Sequence, residues 1–236
     1  MKVIVTGASM GIGKGIATVL AKEGFELGLT ARSRNLLEEL RSEIESSGGT
    51  CFIAPCDLRD PKATEKAMAQ LVGDLGEVYA LVNNAGVVIR KDVFTISLEE
   101  WQKLIETNVN GLFYATRAVL PHLRERGEGH VINISSISGR MPLPGGSGYA
   151  ASKYAVTGFS DSLFHEVRDF GIKVTTIFPG SVDTESHRRA PDADHSWKIR
   201  PEDVGEACRD ILRTSPRNCI RELEIRPLGK PSPRSP

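Results

Sequence analysis

Cysteine is scarce in this chain, with four in 236 residues (Cys51, Cys56, Cys208 and Cys219) and no CxxC pair. That is too few for a disulfide framework at this length, and the five histidines add no metal-ligand spacing. Buried reduced thiols and no metal are expected. An excess of one charge is also missing: 30 basic residues balance 30 acidic ones, so no global field draws the chain to nucleic acid or to a membrane. No apolar run is long enough to span a bilayer, and the opening MKVIVTG reads as a strand and turn rather than a secretory leader. These absences leave an ordinary globular composition, 40% hydrophobic and 25% charged, and predict a cytoplasmic protein.

Short apolar runs alternate with helical periodicity almost throughout. Lys2–Thr6 is a buried-strand pattern, and Ile12, Ile16, Val19 and Leu20 then fall on one helical face. Glu26–Thr30 is a second strand; Leu36, Leu37, Leu40 and Ile44 mark a second helix that ends at Gly48-Gly49. Further strands are expected at 50–55, 80–83, 130–134, 173–178 and, more weakly, 222–225. Regular β-α alternation predicts an α/β fold: a doubly wound parallel sheet with helices on both faces. One domain over 1–227 and a fraying tail over 228–236, rich in proline and cations, complete the expected organisation.

Such a sheet binds its ligand at the carboxyl ends of its strands, so the residues after each strand matter most. After the first comes Thr6-Gly7-Ala8-Ser9-Met10-Gly11-Ile12-Gly13, a glycine turn opening a helix, which suits a diphosphate on backbone amides. A P-loop is excluded, because no Gly-Lys-Ser/Thr follows. After the second strand stand Ala31 and Arg32, where an NAD-binding fold would place an acid against the ribose. Asp57 follows the third strand, as a possible ligand contact or as a cap. Asn83-Asn84-Ala85-Gly86 follows the fourth and can serve as an amide network between loops.

Tyr149 and Lys153 are one helical turn apart, so phenol and ammonium share a face. A cation there favours phenolate; bringing tyrosine from near 10 to about 7 needs roughly 4 kcal/mol. Ser136, at the end of the fifth strand, is placed to donate to a carbonyl oxygen, or to cap a helix. Asn108 lies inside a helical pattern that disfavours it, which points to a kink, a held water or catalysis.

Together these residues resemble the short-chain dehydrogenase/reductase family, over nearly the whole chain. TGASMGIG is similar to its TGxxxGxG loop, residues 83–86 to its NNAG, and Pro179-Gly180 to its PG after the sixth strand. Asn108, Ser136, Tyr149 and Lys153 match its tetrad, with Tyr149 following Ser136 at the usual thirteen positions. The resemblance implies a Rossmann-like oxidoreductase interconverting a carbonyl and an alcohol. Tyr149 would be the acid/base, Lys153 would lower its pKa and bind the nicotinamide ribose, Ser136 would orient the carbonyl, and Asn108 would hold a relay water. It further implies cofactor contacts from Gly7, Ser9, Gly11, Ile12, Gly13, Asp57, Leu58, Asn83, Ala85 and Gly86, and from Pro179, Gly180, Val182 and Thr184 in the loop holding the carboxamide. Arg32 with Ala31 selects NADP(H) over NAD(H), since a guanidinium can take the 2′-phosphate that an acid would repel. Met10 stands where many NADP-preferring relatives have a second base, and Arg34 would compensate by turning inward.

On the substrate side, the sequence offers the loop at 138–147 and a short lid at 187–198. In the lid, Arg188 and Arg189 are either solvated or recognise an anion, and Trp197 closes the pocket or packs the lid. A homodimer or homotetramer is implied, for which Leu112, Phe113, Phe159 and Leu163 suit either interface or core. Two other readings stand: a dinucleotide-binding sensor or scaffold without useful catalysis, and a methyltransferase, which would bind S-adenosylmethionine in place of NADPH.

Overall fold

The computed structural model describes residues 1–141, 144–184 and 194–229. Seven parallel strands form one sheet in the order β3-β2-β1-β4-β5-β6-β7. The strands are β1 (Lys2–Thr6), β2 (Glu26–Thr30), β3 (Cys51–Ile53), β4 (Ala80–Asn83), β5 (Gly129–Ile134), β6 (Ile172–Pro179) and β7 (Glu222–Ile225). The central strands are buried on both faces and therefore read as continuous apolar runs. Alternation still sorts their side chains. Val3 and Val5 face one core, with helices α1 (Gly11–Lys22), α2 (Arg34–Ser46) and α7 (Pro201–Leu212). Ile4 faces the other, with α3 (Pro61–Leu75), α5 (Gly111–Arg126) and α6 (Ser147–Val167).

The third strand is shorter than the predicted 50–55. Its hydrogen bonds to β2 nevertheless run on past the strand, with Ala54 and Cys56 N–H donating to the Leu29 and Ala31 carbonyls at 3.0 and 2.9 Å. At the far edge, β7 pairs with β6 through Pro179↔Ile225. Helices α1 and α7 come together over two glycines: a Cβ on Gly205 would lie 2.8 Å from the Gly15 carbonyl oxygen. The helix predicted around Asn108 is interrupted. Between α4 (Leu98–Ile105) and α5, residues Glu106–Asn110 form a π-helical turn. Such turns inside helices are frequent at functional sites.

Strand order reverses between β1 and β4, with β2 on one side of β1 and β4 on the other. The crevice beyond the carboxyl ends of these strands is where the fold offers a ligand site.

Candidate active site

The glycine turn after β1 carries Gly7 and Gly11 at φ +65° and +54°, a region that disfavours side chains. Gly7 and Gly13 are also demanded by packing: a Cβ on Gly7 would lie 2.7 Å from Ala85 Cα, and one on Gly13 2.1 Å from the Gly7 oxygen. Ala85 is thus fixed beside the turn, and Thr6 Oγ1 accepts its N–H at 3.1 Å. Asn84 fastens the same loop by donating to the Thr6 and Gly7 carbonyls, each at 3.1 Å. The amide network anticipated at 83–86 is present.

Helix α1 starts at Gly11 behind Met10, with no side-chain cap and no acid in its first turn. Its end amides and positive dipole therefore stay available to an anion, which is the chemistry of a cofactor diphosphate. Ser9 and Ile12 flank that end half-buried, with Ile12 packed on the core.

At the end of β2, Ala31 is buried and Arg32 is exposed. No ion pair or hydrogen bond from the described residues holds the Arg32 guanidinium, which still acts through its charge on Asp57. Arg34 does not turn inward; it lies 3.6 Å from Glu38 on the surface of α2. Asp57 is clamped by Arg59 at 2.7 Å, and that hydrogen bond holds its carboxyl below the usual range. Arg59, unnoticed in the sequence, is a second guanidinium at this end of the crevice.

Two of the implied cofactor contacts, Leu58 and Asn83, have side chains turned into the protein. The Leu58 side chain is buried in the core with α3 and α5. Asn83 is 3% exposed and turns its amide into the protein, donating to Thr116 Oγ1 and Asn133 Oδ1, each at 2.9 Å. Only their main chains remain for a ligand.

The four tetrad residues are all buried. Asn108 joins three segments: it accepts from Val87 N–H at 2.7 Å and donates to the Val87 carbonyl and to Ser152 Oγ, both at 3.0 Å. Its amide is fully used, so its side chain positions the Gly86 loop and α6. A Cβ on Gly86 would come within 3.2 Å of Asn108 Oδ1 and 3.7 Å of Lys153 Nζ, which shows how close the loop passes. Lys153 Nζ donates to the Ile134 carbonyl at 2.9 Å, and Ser135 Oγ to the Lys153 carbonyl at 3.1 Å, tying α6 to the end of β5.

Ser136 ends β5 with an extended backbone; its Oγ accepts from Ser138 N–H at 3.1 Å and is hydrogen-bonded to Tyr149. Ser136 is therefore both helix cap and partner of the phenol.

The charges differ from the expectation. Burial pushes the Tyr149 phenol up, and the Ser136 hydrogen bond and the Arg90 guanidinium pull it back only in part. Burial also brings the Lys153 ammonium down to about 8. Lys153 therefore still carries its charge for the most part at neutral pH, with less margin than a solvated lysine.

After β6, Gly180 N–H donates to the Ile225 carbonyl at 2.8 Å, fixing Pro179 and Gly180 at the sheet end. Val182 bridges Ile199, and Asp183 N–H donates to the Ile199 carbonyl at 2.9 Å. Thr184 then reaches the glycine turn: a Cβ on Gly11 would be 3.3 Å from its Cγ2. Arg188 and Arg189 lie outside the described residues; Trp197 Nε1 donates to the Asp194 carbonyl at 3.1 Å.

A cavity of about 80 Å³ opens beside Tyr149, lined by Arg90, Ser138, Pro144, Gly145, Gly146 and Ala150. Arg90 was missed in the sequence, although it stands four residues beyond Gly86 in a strand-end loop. Among the described residues no group of three or more metal-ligating side chains could hold a metal, and no helix is long and apolar enough to cross a membrane. The four cysteines are free, and burial raises the Cys51 and Cys208 thiols to about 12.

Comparison with known proteins agrees with this arrangement. The chain is 36% identical over 239 residues to the NADP-dependent 3-hydroxy acid dehydrogenase YdfG of Escherichia coli (strain K12), covering 97% of this chain and 95% of that one. A closed form of serine dehydrogenase complexed with NADP+ superposes with a TM-score of 0.89 at 35% identity, over 97% of this chain and 95% of the other. An alcohol dehydrogenase from the archaeon Thermococcus sibiricus, complexed with 5-hydroxy-NADP, gives 0.90 at 29% identity over 98% of both chains. The family model for short chain dehydrogenase matches residues 1–194. With a Rossmann-like parallel sheet and its ligand crevice on the same chain, the protein belongs to the short-chain dehydrogenase family.

Proposed function

We propose that Tyr149 is the general acid/base of an NADP(H)-dependent oxidoreductase that interconverts a carbonyl and an alcohol. The observation that carries this reading is the cluster of Ser136, Tyr149 and Lys153 at the crevice, with the Ser136 hydroxyl bonded to the phenol. The cofactor supplies and accepts the hydride; the side chains handle position and proton. In reduction, Ser136 Oγ–H donates to the substrate oxygen while Tyr149 Oη transfers its proton to it. In oxidation the phenolate takes the alcohol proton back. Burial is what makes the resting phenol a poor acid. A cationic oxidised nicotinamide, when bound, would favour the phenolate.

NADP(H) fits the uncapped α1 terminus and the unpaired Arg32. Of the named relatives, one is a 3-hydroxy acid dehydrogenase, one a serine dehydrogenase and one an alcohol dehydrogenase, so short hydroxy acids and their oxo forms are the first substrates to offer. The purified protein is expected to oxidise NADPH with a 3-oxo acid. Tyr149→Phe should lower kcat by about 10³-fold, within the usual span of a lost acid/base, while NADPH affinity measured by fluorescence titration stays unchanged. Undiminished turnover in the variant rejects this role.

A homo-oligomer built on the α5/α6 face is supported by a groove of about 620 Å³ there, lined in part by Phe113, Leu120, Pro121 and Phe159. Free, buried thiols support a reducing, cytoplasmic setting.

A further inference from the structure

We infer that Arg90 is the residue that anchors a carboxylate on the substrate, so that this site selects short acids over neutral carbonyl compounds. The inference rests on the proposed function, since it places the anchor in the pocket of the same acid/base.

Three observations converge on Arg90. It lines the 80 Å³ cavity together with Tyr149, Ser138 and Gly146, so it shares one space with the acid/base. Its charge is felt at the phenol. And it is exposed, with no protein partner among the described residues. Neighbouring Lys91 is 2.7 Å from Glu100. Asp92 accepts from Phe94 and Thr95 N–H at 3.1 and 2.9 Å. Glu100 also closes the cap of α4 on Ser97 N–H at 3.0 Å. No carboxylate among the described residues pairs with Arg90 and no hydrogen bond holds it, although the chain carries as many acids as bases.

A guanidinium is a planar fork of donors matched to a carboxylate, and none among the described residues meets it. The cavity is small, about 80 Å³, which suits a short acid rather than a long acyl chain. A carboxylate on Arg90 would hold the molecule at one end, leaving a hydroxyl or carbonyl further along for Ser136 and Tyr149. A cation here also eases ionisation of the phenol, so the anchor and the acid/base are electrostatically linked.

The test compares 3-oxobutanoate with its methyl ester, which keeps the carbonyl and removes the charge. Arg90→Met should lower kcat/KM for the acid by about 10- to 100-fold, the cost of a lost charged hydrogen bond, and leave the ester within about 3-fold. Arg90→Lys should recover part of the loss for the acid. Equal losses on acid and ester, or no loss on either, overturn the assignment. Calorimetric binding of 3-hydroxybutanoate to the NADP+-loaded protein separates the two claims. Binding lost in Arg90→Met but kept in Tyr149→Phe supports the anchor, whether or not turnover is found. Absence of turnover with binding intact would defeat the proposed function alone; absence of binding to the unmutated protein defeats the anchor.

Discussion

We propose that Arg32 carries cofactor choice on a single side chain. It is exposed at the end of β2, beside a buried Ala31, and its charge reaches Asp57 while Arg59 occupies that carboxylate. The 2′-phosphate of NADP(H) would meet an unpaired guanidinium and no free acid. Removing it in Arg32→Ala should weaken NADPH by about 1.5–3 kcal/mol, ~10- to 100-fold, and leave NADH nearly unchanged. Titration of both cofactors checks this; equal losses would show that Arg32 acts on structure instead. The absence of an acid at this place was readable from sequence because the fold fixes what stands after β2. Arg59 and Arg90 were not, since each becomes meaningful only when a distant strand end brings it to the crevice. For Tyr149, i, i+4 spacing reports the neighbouring ammonium and says nothing of the desolvation that raises the phenol and lowers the lysine.

At the scale of elements, alternation and helical period fixed most of the layout, and they could have corrected one reading. Asn83 shares a strand face with Leu81, which packs on the α3/α5/α6 side, so its amide had to point into that layer. The π-helical turn at Glu106–Asn110 was legible only as an unfavourable Asn, because its cause is tertiary: Val87 and Ser152 capture the Asn108 amide from two other segments. Helix α5 poses a further question on its outer face. Leu112 and Leu163 are buried, whereas Phe113 is 43% exposed and meets Phe159 edge to face at 6.3 Å. Exposed aromatics beside a groove are costly to leave in water. Phe113→Asp should shift the sedimenting species to monomer without loss of folded structure by circular dichroism; an unchanged mass would exclude this face as the interface.

The whole molecule makes the site by bringing strand ends together. β1 supplies the glycine turn, β2 Arg32, β4 Gly86 and Arg90, β5 Ser136, β6 the loop to Thr184, and α6 the Tyr149–Lys153 pair. None of these segments is a site alone, and the parallel topology puts all of them at one edge of the sheet. The central claim is that this edge moves a hydride between NADPH and a carbonyl carbon. The most direct measurement supplies NADPH deuterated at the transferring position of its nicotinamide, with 3-oxobutanoate, and locates the label by mass spectrometry and NMR. Deuterium on the new carbinol carbon of the hydroxy acid is the predicted result; an unlabelled hydroxy acid, or oxidation of NADPH with no alcohol formed, would contradict it.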